Sequence, residues 1–252
     1  MYEPLSSDDP TGVVAGIETA RLILRKGVPE FSVRLLFAME LYGYMAYIAG
    51  RGSCLRNEVV GGCNFDTLPS VRDTSTANVF TAARGTPFYG NWLACQLSAE
   101  LENEPGALRW NMKGPAYFDD ISFSDPTIGI PAIWPIGEFG DNHHSSVQTM
   151  EFLDESVLVR GTAFNAAFIY ALANPKEKYL APALEQAVCS LRKAHSELKT
   201  NPVGSDAERL AHIHDTERRH LADFKHGLPS GSVEDILARF DAEYWTLSEG
   251  LS

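Results

Sequence analysis

The sequence predicts an α/β fold in which a mostly parallel sheet carries helices on both faces. Strand-like and helix-like segments alternate along the chain up to about Pro175, which is typical of parallel sheets with helical crossovers. Several strand-like segments are wholly apolar, as expected for strands covered on both faces. After Pro175 the pattern changes to charged, amphipathic helices. We therefore expect an α/β domain over residues 1–175 and a helical extension over residues 176–252, packed on that domain or on a partner.

The individual elements follow from apolar spacing and from the breakers between them. Apolar residues at helical spacing predict helices in the first domain at residues 13–26, 42–49, 92–101 and 156–173. Short apolar runs predict strands at residues 31–38, 58–65, 107–110 and 128–136. Proline and glycine clusters divide the extension into helices at residues 179–200, 206–226 and 233–249.

The composition excludes several classes of protein. The 252 residues are 44% hydrophobic and 21% charged, which is enough apolar surface for a folded core. The net charge of −12 disfavours nucleic acid and anionic membrane surfaces as partners, because like charges repel. The chain has no membrane-helix run of ~18 apolar residues and no signal-peptide pattern at its start. Four scattered cysteines without a CxxC pair predict buried free thiols in a cytoplasmic protein.

Acidic residues follow two of the predicted strands. Glu40 and Asp66 each come just after one, and ligands of open α/β sheets bind beyond the carboxyl ends of the strands. Asp8 precedes the first helix, and His144 lies in the loop after the last predicted strand of the domain. Ordinary structural interpretations exist for each residue. Asp8 and Glu40 would be helix caps, and His144 would be a solvated side chain.

Taken together, the four side chains have the chemistry of a metal-dependent hydrolase. Asp8 and Asp66 would supply anionic oxygens and His144 a neutral nitrogen, which suits a divalent cation such as zinc. A glutamate outside the ligand set, here Glu40, would take the proton from an attacking water.

The same stretches resemble the co-catalytic zinc aminopeptidases, the family of bacterial leucine aminopeptidases, glutamate carboxypeptidases and glutaminyl cyclases, and more closely an aminopeptidase-like bacterial branch. Asp8-Asp9-Pro10-Thr11-Gly12 matches the family's D-[DN]-x-[ST]-G turn, and Asn64-Phe65-Asp66 matches its N-x-D strand end. His144-Ser145-Ser146-Val147-Gln148-Thr149 matches its H-[TSN]-[SP]-x-D-T motif, with Gln148 where Asp is usual. The resemblance covers residues 5–175. It implies a three-layer sandwich around a mostly parallel, mixed sheet.

The resemblance also implies a role for each metal-site residue. Asp8 takes the bridging metal position, Asp66 is a terminal ligand and His144 is the late histidine ligand. The family's first ligand, a histidine upstream of the bridging aspartate, has no counterpart here, and Glu3 is the only nearby residue that could replace it. The remaining set implies one zinc ion rather than two.

The family's Glu-Glu pair, a general base followed by a metal ligand, is kept only in part. An ungapped alignment on Gly43 matches Glu40 with the base and places Leu41 at the ligand position. A shift of one residue would make Glu40 the ligand and place Met39 at the base position. The ungapped alignment is preferred.

The expected function is a metal-dependent aminopeptidase-like hydrolase acting on a small peptide or amide. One alternative is a catalytically inactive relative that keeps the fold for binding or assembly, as a homo-oligomer or with a partner chain that completes the sheet. The other is glutaminyl-cyclase-like acyl transfer, which uses the same kind of site.

Overall fold

The architecture is given by a computed structural model, which describes residues 8–116, 122–125, 127–137, 144–145, 148–202 and 204–249. The α-helices of this part are α1 (Pro10–Lys26), α2 (Tyr42–Arg51), α3 (Cys54–Glu58), α4 (Tyr89–Leu101), α5 (Glu155–Leu172), α6 (Leu180–Thr200), α7 (Asp206–Ala222) and α8 (Ser230–Ser248). The strands are β1 (Gly62–Cys63), β2 (Thr76–Phe80), β3 (Arg109–Lys113) and β4 (Ala132–Ile136).

The chain packs as two compact units. The first consists of Met1–Thr86 and Leu93–Asn174, and the second of Pro87–Trp92 and Pro175–Ser252. All four strands belong to the first unit, whereas α6, α7 and α8 belong to the second.

The sheet of the first unit is mixed, with the strand order β1-β4-β2-β3. β1 runs parallel to β4 and β2 parallel to β3, whereas β2 and β4 are antiparallel. The α/β class predicted from the sequence is confirmed. Strand β2 was not predicted, because its short sequence, Thr-Ala-Asn-Val-Phe, has a weak pattern and it depends on its neighbours in the sheet for its hydrogen bonds.

Two predicted strands differ from the structure. Residues 58–65 were expected to form one strand, but Glu58 ends helix α3 and the strand is limited to Gly62–Cys63. Adjacent glycines have no side chains to pack, which weakens a strand at this point. Residues 31–38 were also expected to form a strand but adopt no regular structure. Glu40 therefore lies in a turn before α2 rather than at a strand end.

Helix α1 packs against α5 in the core of the first unit. Ala15 and Ile23 of α1 are buried, as are Phe164 and Phe168 of α5. The Phe164 ring stacks on Trp110 of β3, with the ring centroids 4.2 Å apart. This packing places the first turn of α1 close to the sheet.

The second unit is held together by polar contacts as well as by apolar packing. Asp241 of α8 accepts hydrogen bonds from Arg218 of α7, and its Oδ1 lies 2.8 Å from His214 Nε2. The His214 ring also stacks on Tyr244, with the centroids 4.1 Å apart. His214 therefore joins α7 to α8.

Asp223 anchors the start of α4 within this second unit. Its Oδ2 accepts a hydrogen bond of 3.0 Å from the backbone N–H of Tyr89, the first residue of that helix. The carboxyl group is buried, and burial raises the pKa of Asp223 to about 6, although the Tyr89 N–H acts in the opposite direction.

The cysteines are free, as expected, but the prediction that they are buried is wrong for two of them. Cys54 and Cys189 are exposed, while Cys63 and Cys95 are half-buried. Cys54 begins the short helix α3 and Cys189 lies on an outer face of α6, so neither side chain points into a core. Burial of the thiol raises the pKa of Cys63.

In the part of the chain that the structure describes, no single helix is long and apolar enough to cross a membrane. Glu155–Leu172 and Glu177–Thr200 satisfy length and composition criteria only as a pair, with a bend of 112° between them. Many apolar side chains of α5 are buried in the core of the first unit, which accounts for its composition.

We expect Asp223→Asn to stabilise the protein at neutral pH. The pKa of Asp223 is about 6 in the folded chain and ordinarily 3.8, so its contribution to stability is full below about pH 4 and is lost as the pH rises through about 6. The loss corresponds to about 3 kcal/mol. Asparagine keeps an oxygen acceptor for the Tyr89 N–H and carries no charge. Urea unfolding followed by circular dichroism should therefore show a gain of about 1–3 kcal/mol near pH 7.5 and none near pH 4.

The matched control is Asp235→Asn, since Asp235 is exposed on α8. It should change the free energy of unfolding by less than about 0.5 kcal/mol at either pH. A difference between wild type and Asp223→Asn that is the same at both pH values would contradict this account.

Candidate metal centre

Three carboxyl groups meet beside the start of α1. One oxygen from each of Asp8, Asp9 and Asp66 lies within 4.8 Å of the other two. Asp8 and Asp9 directly precede α1, whereas Asp66 follows β1 by three residues. The structure thus brings Asp8 and Asp66 together, as the sequence predicts for metal ligands, and it adds Asp9. Their role as ligands stays a prediction.

A close backbone approach at Gly12 brings these residues together. A Cβ atom on Gly12 would lie 1.6 Å from the carbonyl oxygen of Phe65, so no larger residue fits here without movement of the backbone. Next to it, the hydroxyl of Thr11 accepts a hydrogen bond of 3.2 Å from the backbone N–H of Leu68. The first turn of α1 is therefore held against the chain that carries Asp66.

The interpretation of this turn as a simple helix cap does not hold. Asp9 occupies the N-cap position of α1, but its side chain makes no capping hydrogen bond. Its carboxyl group is instead hydrogen-bonded to those of Asp8 and Asp66. Sequence reasoning missed Asp9 as a member of the cluster. The signal was its position next to Asp8 in a turn, where two successive acidic side chains can reach the same site.

His144 contacts the cluster through Asp8. Its Nε2 lies 2.7 Å from Asp8 Oδ2, with 62% of the histidine side chain and 15% of the aspartate side chain exposed. The backbone N–H of Gln148 donates to the carbonyl of Ser145 at 3.1 Å. Two segments separated by 136 positions thus contribute an imidazole and a carboxylate to one contact.

The carboxyl groups of the cluster affect one another's ionisation. Burial raises the pKa of Asp8, and neighbouring Asp9 raises it further, while His144 acts in the opposite direction. The pKa of Asp9 is lowered, chiefly by its hydrogen bond with Asp66. A hydrogen bond between two carboxyl groups requires a proton on one of them. Full ionisation of all three would place like charges side by side, which is unfavourable unless a cation lies between them.

Asp66 is held in place by its neighbours. The hydroxyl of Thr67 donates a hydrogen bond of 2.7 Å to Asp66 Oδ1. The indole N–H of Trp134, in β4, points to the backbone carbonyl of Asp66 at 3.5 Å. Oδ1 is thereby oriented, while the other carboxylate oxygen can face the cluster.

The remaining predicted residues are not part of this cluster. Glu40 is exposed in the turn before α2 and is absent from the carboxyl groups that meet within 4.8 Å in the described part of the chain. Leu41, at the position of the family's second glutamate, follows it with a φ of 54°. Glu3 lies outside the described residues. The role of Glu40 as general base stays a prediction.

Comparisons with known proteins support the fold. No protein-family model matches the sequence, and no curated protein matches it. Among solved structures, a protein from Clostridium acetobutylicum named as a candidate peptidase matches with a TM-score of 0.56 and 17% identity, over 68% of this chain and 39% of that one. BSAP, a zinc aminopeptidase from Bacillus subtilis, matches with a TM-score of 0.51 and 16% identity, over 68% of this chain and 43% of its own.

These likenesses show the fold alone, because the identities are low. The chain spans about two fifths of the length of these neighbours. It shares the aminopeptidase-like α/β fold of bacterial zinc aminopeptidases.

We expect Gly12→Ala to destabilise the first unit by at least about 2 kcal/mol, because the added methyl group would overlap the carbonyl of Phe65. Urea unfolding followed by circular dichroism measures the change.

Gly16→Ala is the control on the same helix. Its added Cβ would lie no closer than 3.9 Å to the rings of Phe37 and Phe65, which is ordinary contact. Alanine also favours the helix over glycine by about 1 kcal/mol, so this variant should be as stable as wild type or more so. Equal effects of the two substitutions would argue against the close approach at Gly12.

Proposed function

We propose that this chain binds zinc through Asp8, Asp9, Asp66 and His144 and acts as a metal-dependent, aminopeptidase-like hydrolase on a small peptide or amide. The observation that carries the proposal is the meeting of three carboxyl groups within 4.8 Å of one another, with an imidazole 2.7 Å from one of them. We also propose that the fold is a three-layer sandwich and that the chain belongs to the aminopeptidase-like bacterial branch of the family.

The donor set fits the metal. Carboxylate oxygens and one imidazole nitrogen are common zinc ligands, and bonds of ~2 Å place two ligands of a tetrahedral site about 3.4 Å apart. The oxygens of the cluster are within 4.8 Å, so rotation of side chains alone can bring them to this separation. A divalent cation would also remove the repulsion between the carboxylates.

A bound zinc ion supplies Lewis-acid polarisation of an amide carbonyl and activation of water. The residues of this chain would do the rest. The carboxylates attract a positively charged amino group, which favours substrates with a free amine. Glu40 would accept the proton of the attacking water and pass it to the leaving amine. Glu40 would thus act as the acid–base group without binding the metal itself.

We expect the purified, metal-free protein to bind about one zinc ion per chain and to melt at a higher temperature when zinc is bound. Asp66→Asn and His144→Ala should each weaken zinc binding at least about tenfold, because each removes one donor. Isothermal titration calorimetry with zinc measures the affinity, and the melting temperature gives an independent readout.

Asp73→Asn is the control, since Asp73 is an exposed acid of the first unit outside the cluster, and it should bind zinc as wild type does. If wild type takes up no zinc, the metal-site proposal fails. The inactive alternative, in which the fold serves binding or assembly, then stands in its place.

We expect Glu40→Gln to lower turnover about 10²- to 10⁴-fold with zinc stoichiometry unchanged, because only proton transfer is lost. The assay uses aminoacyl amides with different N-terminal residues, together with peptides that begin with glutamine, which report cyclisation.

Glu151→Gln, at another exposed glutamate, is the matched control and should keep full turnover. Unchanged turnover in Glu40→Gln would show that Glu40 is not the general base. If the protein cyclises peptides that begin with glutamine and hydrolyses none of the aminoacyl amides, its activity is acyl transfer rather than hydrolysis.

A further inference from the structure

Residues 32–38 form an irregular stretch whose backbone makes no hydrogen bond to the backbone of other residues that the structure describes. Just before it, the Phe31 N–H donates to the carbonyl of Ala173 at 3.0 Å. Just after it, the Gly43 N–H donates to the carbonyl of Met39 at 2.8 Å. Between these points, no backbone–backbone hydrogen bond joins the stretch to any other residue that the structure describes. Its amide and carbonyl groups are therefore available to a neighbouring strand.

The side chains of the stretch are unusually apolar for an accessible surface. Val33 is 36% exposed and Phe37 is 56% exposed. The Phe37 ring lies next to Gly16 of α1 and keeps more than half of its surface exposed. An exposed, apolar segment with free backbone groups is a template for pairing with another strand.

The sequence of the stretch is complementary to itself in the antiparallel sense. With Leu35 placed opposite Leu35 of a second copy, Val33 lies opposite Phe37 and Ser32 opposite Ala38. Arg34, the one charged residue of the stretch, lies opposite Leu36, so like charges do not face each other. One face of the paired strands then carries Val33, Leu35 and Phe37 from both copies, which is the kind of cross-strand pairing that stabilises a sheet.

We propose that residues 32–38 are a strand-addition surface through which two copies of this chain pair antiparallel about a two-fold axis at Leu35. Such an interface uses the same patch on both copies and closes after two. The stretch contains no acidic residue, so no carboxylates face each other across the paired strands. The proposal is independent of the metal centre.

The first experiment measures the mass of the full chain by analytical ultracentrifugation over a range of concentrations. Wild type should show a monomer–dimer equilibrium. Val33→Lys should raise the dissociation constant at least about tenfold, because the interface contains the Val33–Phe37 pair twice. Val28→Lys is the control: Val28 is 99% exposed and lies outside the stretch, so its dimer should match that of wild type. A monomer at every concentration, or a dimer that Val33→Lys leaves intact, would overturn the proposal.

The second experiment tests the register. In a background with Cys54→Ser and Cys189→Ser, which removes the exposed thiols, Leu35→Cys should form a disulfide-linked dimer under mild oxidation. Cysteines opposite each other across antiparallel strands are close enough for this bond. Arg34→Cys should not cross-link, because it lies opposite residue 36 rather than itself. Equal cross-linking of the two variants would overturn the register, and cross-linking of neither would overturn the pairing.

Discussion

The close approach of α1 to the backbone after β1 is the constraint on which the candidate metal centre depends. Gly12 allows the carbonyl of Phe65 to lie where a side chain would otherwise stand. The carboxyl groups before α1 and the one after β1 meet as a result. Thr11 and Thr67 then fix the two sides, the first by accepting from a backbone amide and the second by donating to Asp66. The cluster is thus a product of backbone packing more than of the acidic side chains themselves.

The electrostatics of the cluster indicate the kind of ligand that it needs. A carboxylate gains nothing from another carboxylate at hydrogen-bond distance unless a proton or a cation lies between them. The raised pKa of Asp8 reflects this cost, because burial and neighbouring Asp9 both favour its neutral form. A divalent cation satisfies more oxygens at once and suits the adjacent imidazole of His144. The candidate metal centre and the fold that the chain shares with a zinc aminopeptidase therefore support the same proposal from separate observations.

Acidic residues have different structural roles in the two units. In the first unit, the acidic groups lie at its surface, where a ligand can reach them. In the second unit, Asp223 is buried and serves the backbone of α4, and Asp241 joins His214 and Arg218. Burial makes ionisation of Asp223 unfavourable despite nearby Lys225, so this carboxyl group couples stability to pH. The histidines of α7 include structural contacts and are not simply a solvated face.

The sequence by itself determined the longer helices and the acidic turn at Asp8. Helical hydrogen bonds are local, so apolar spacing and breakers are enough to place α1, α5 and the helices of the second unit to within a few residues. Strands are different, because each needs a partner that only the tertiary structure supplies. Residues 31–38 have the composition of a strand but pair with no strand that the structure describes, whereas β2, with a weaker pattern, lies in the middle of the sheet. Tertiary structure also decides why Asp9 joins the carboxyl cluster and Glu40 does not. Packing at Gly12 brings Asp9 into the cluster, and the absence of a regular strand before Glu40 leaves that residue in an exposed turn.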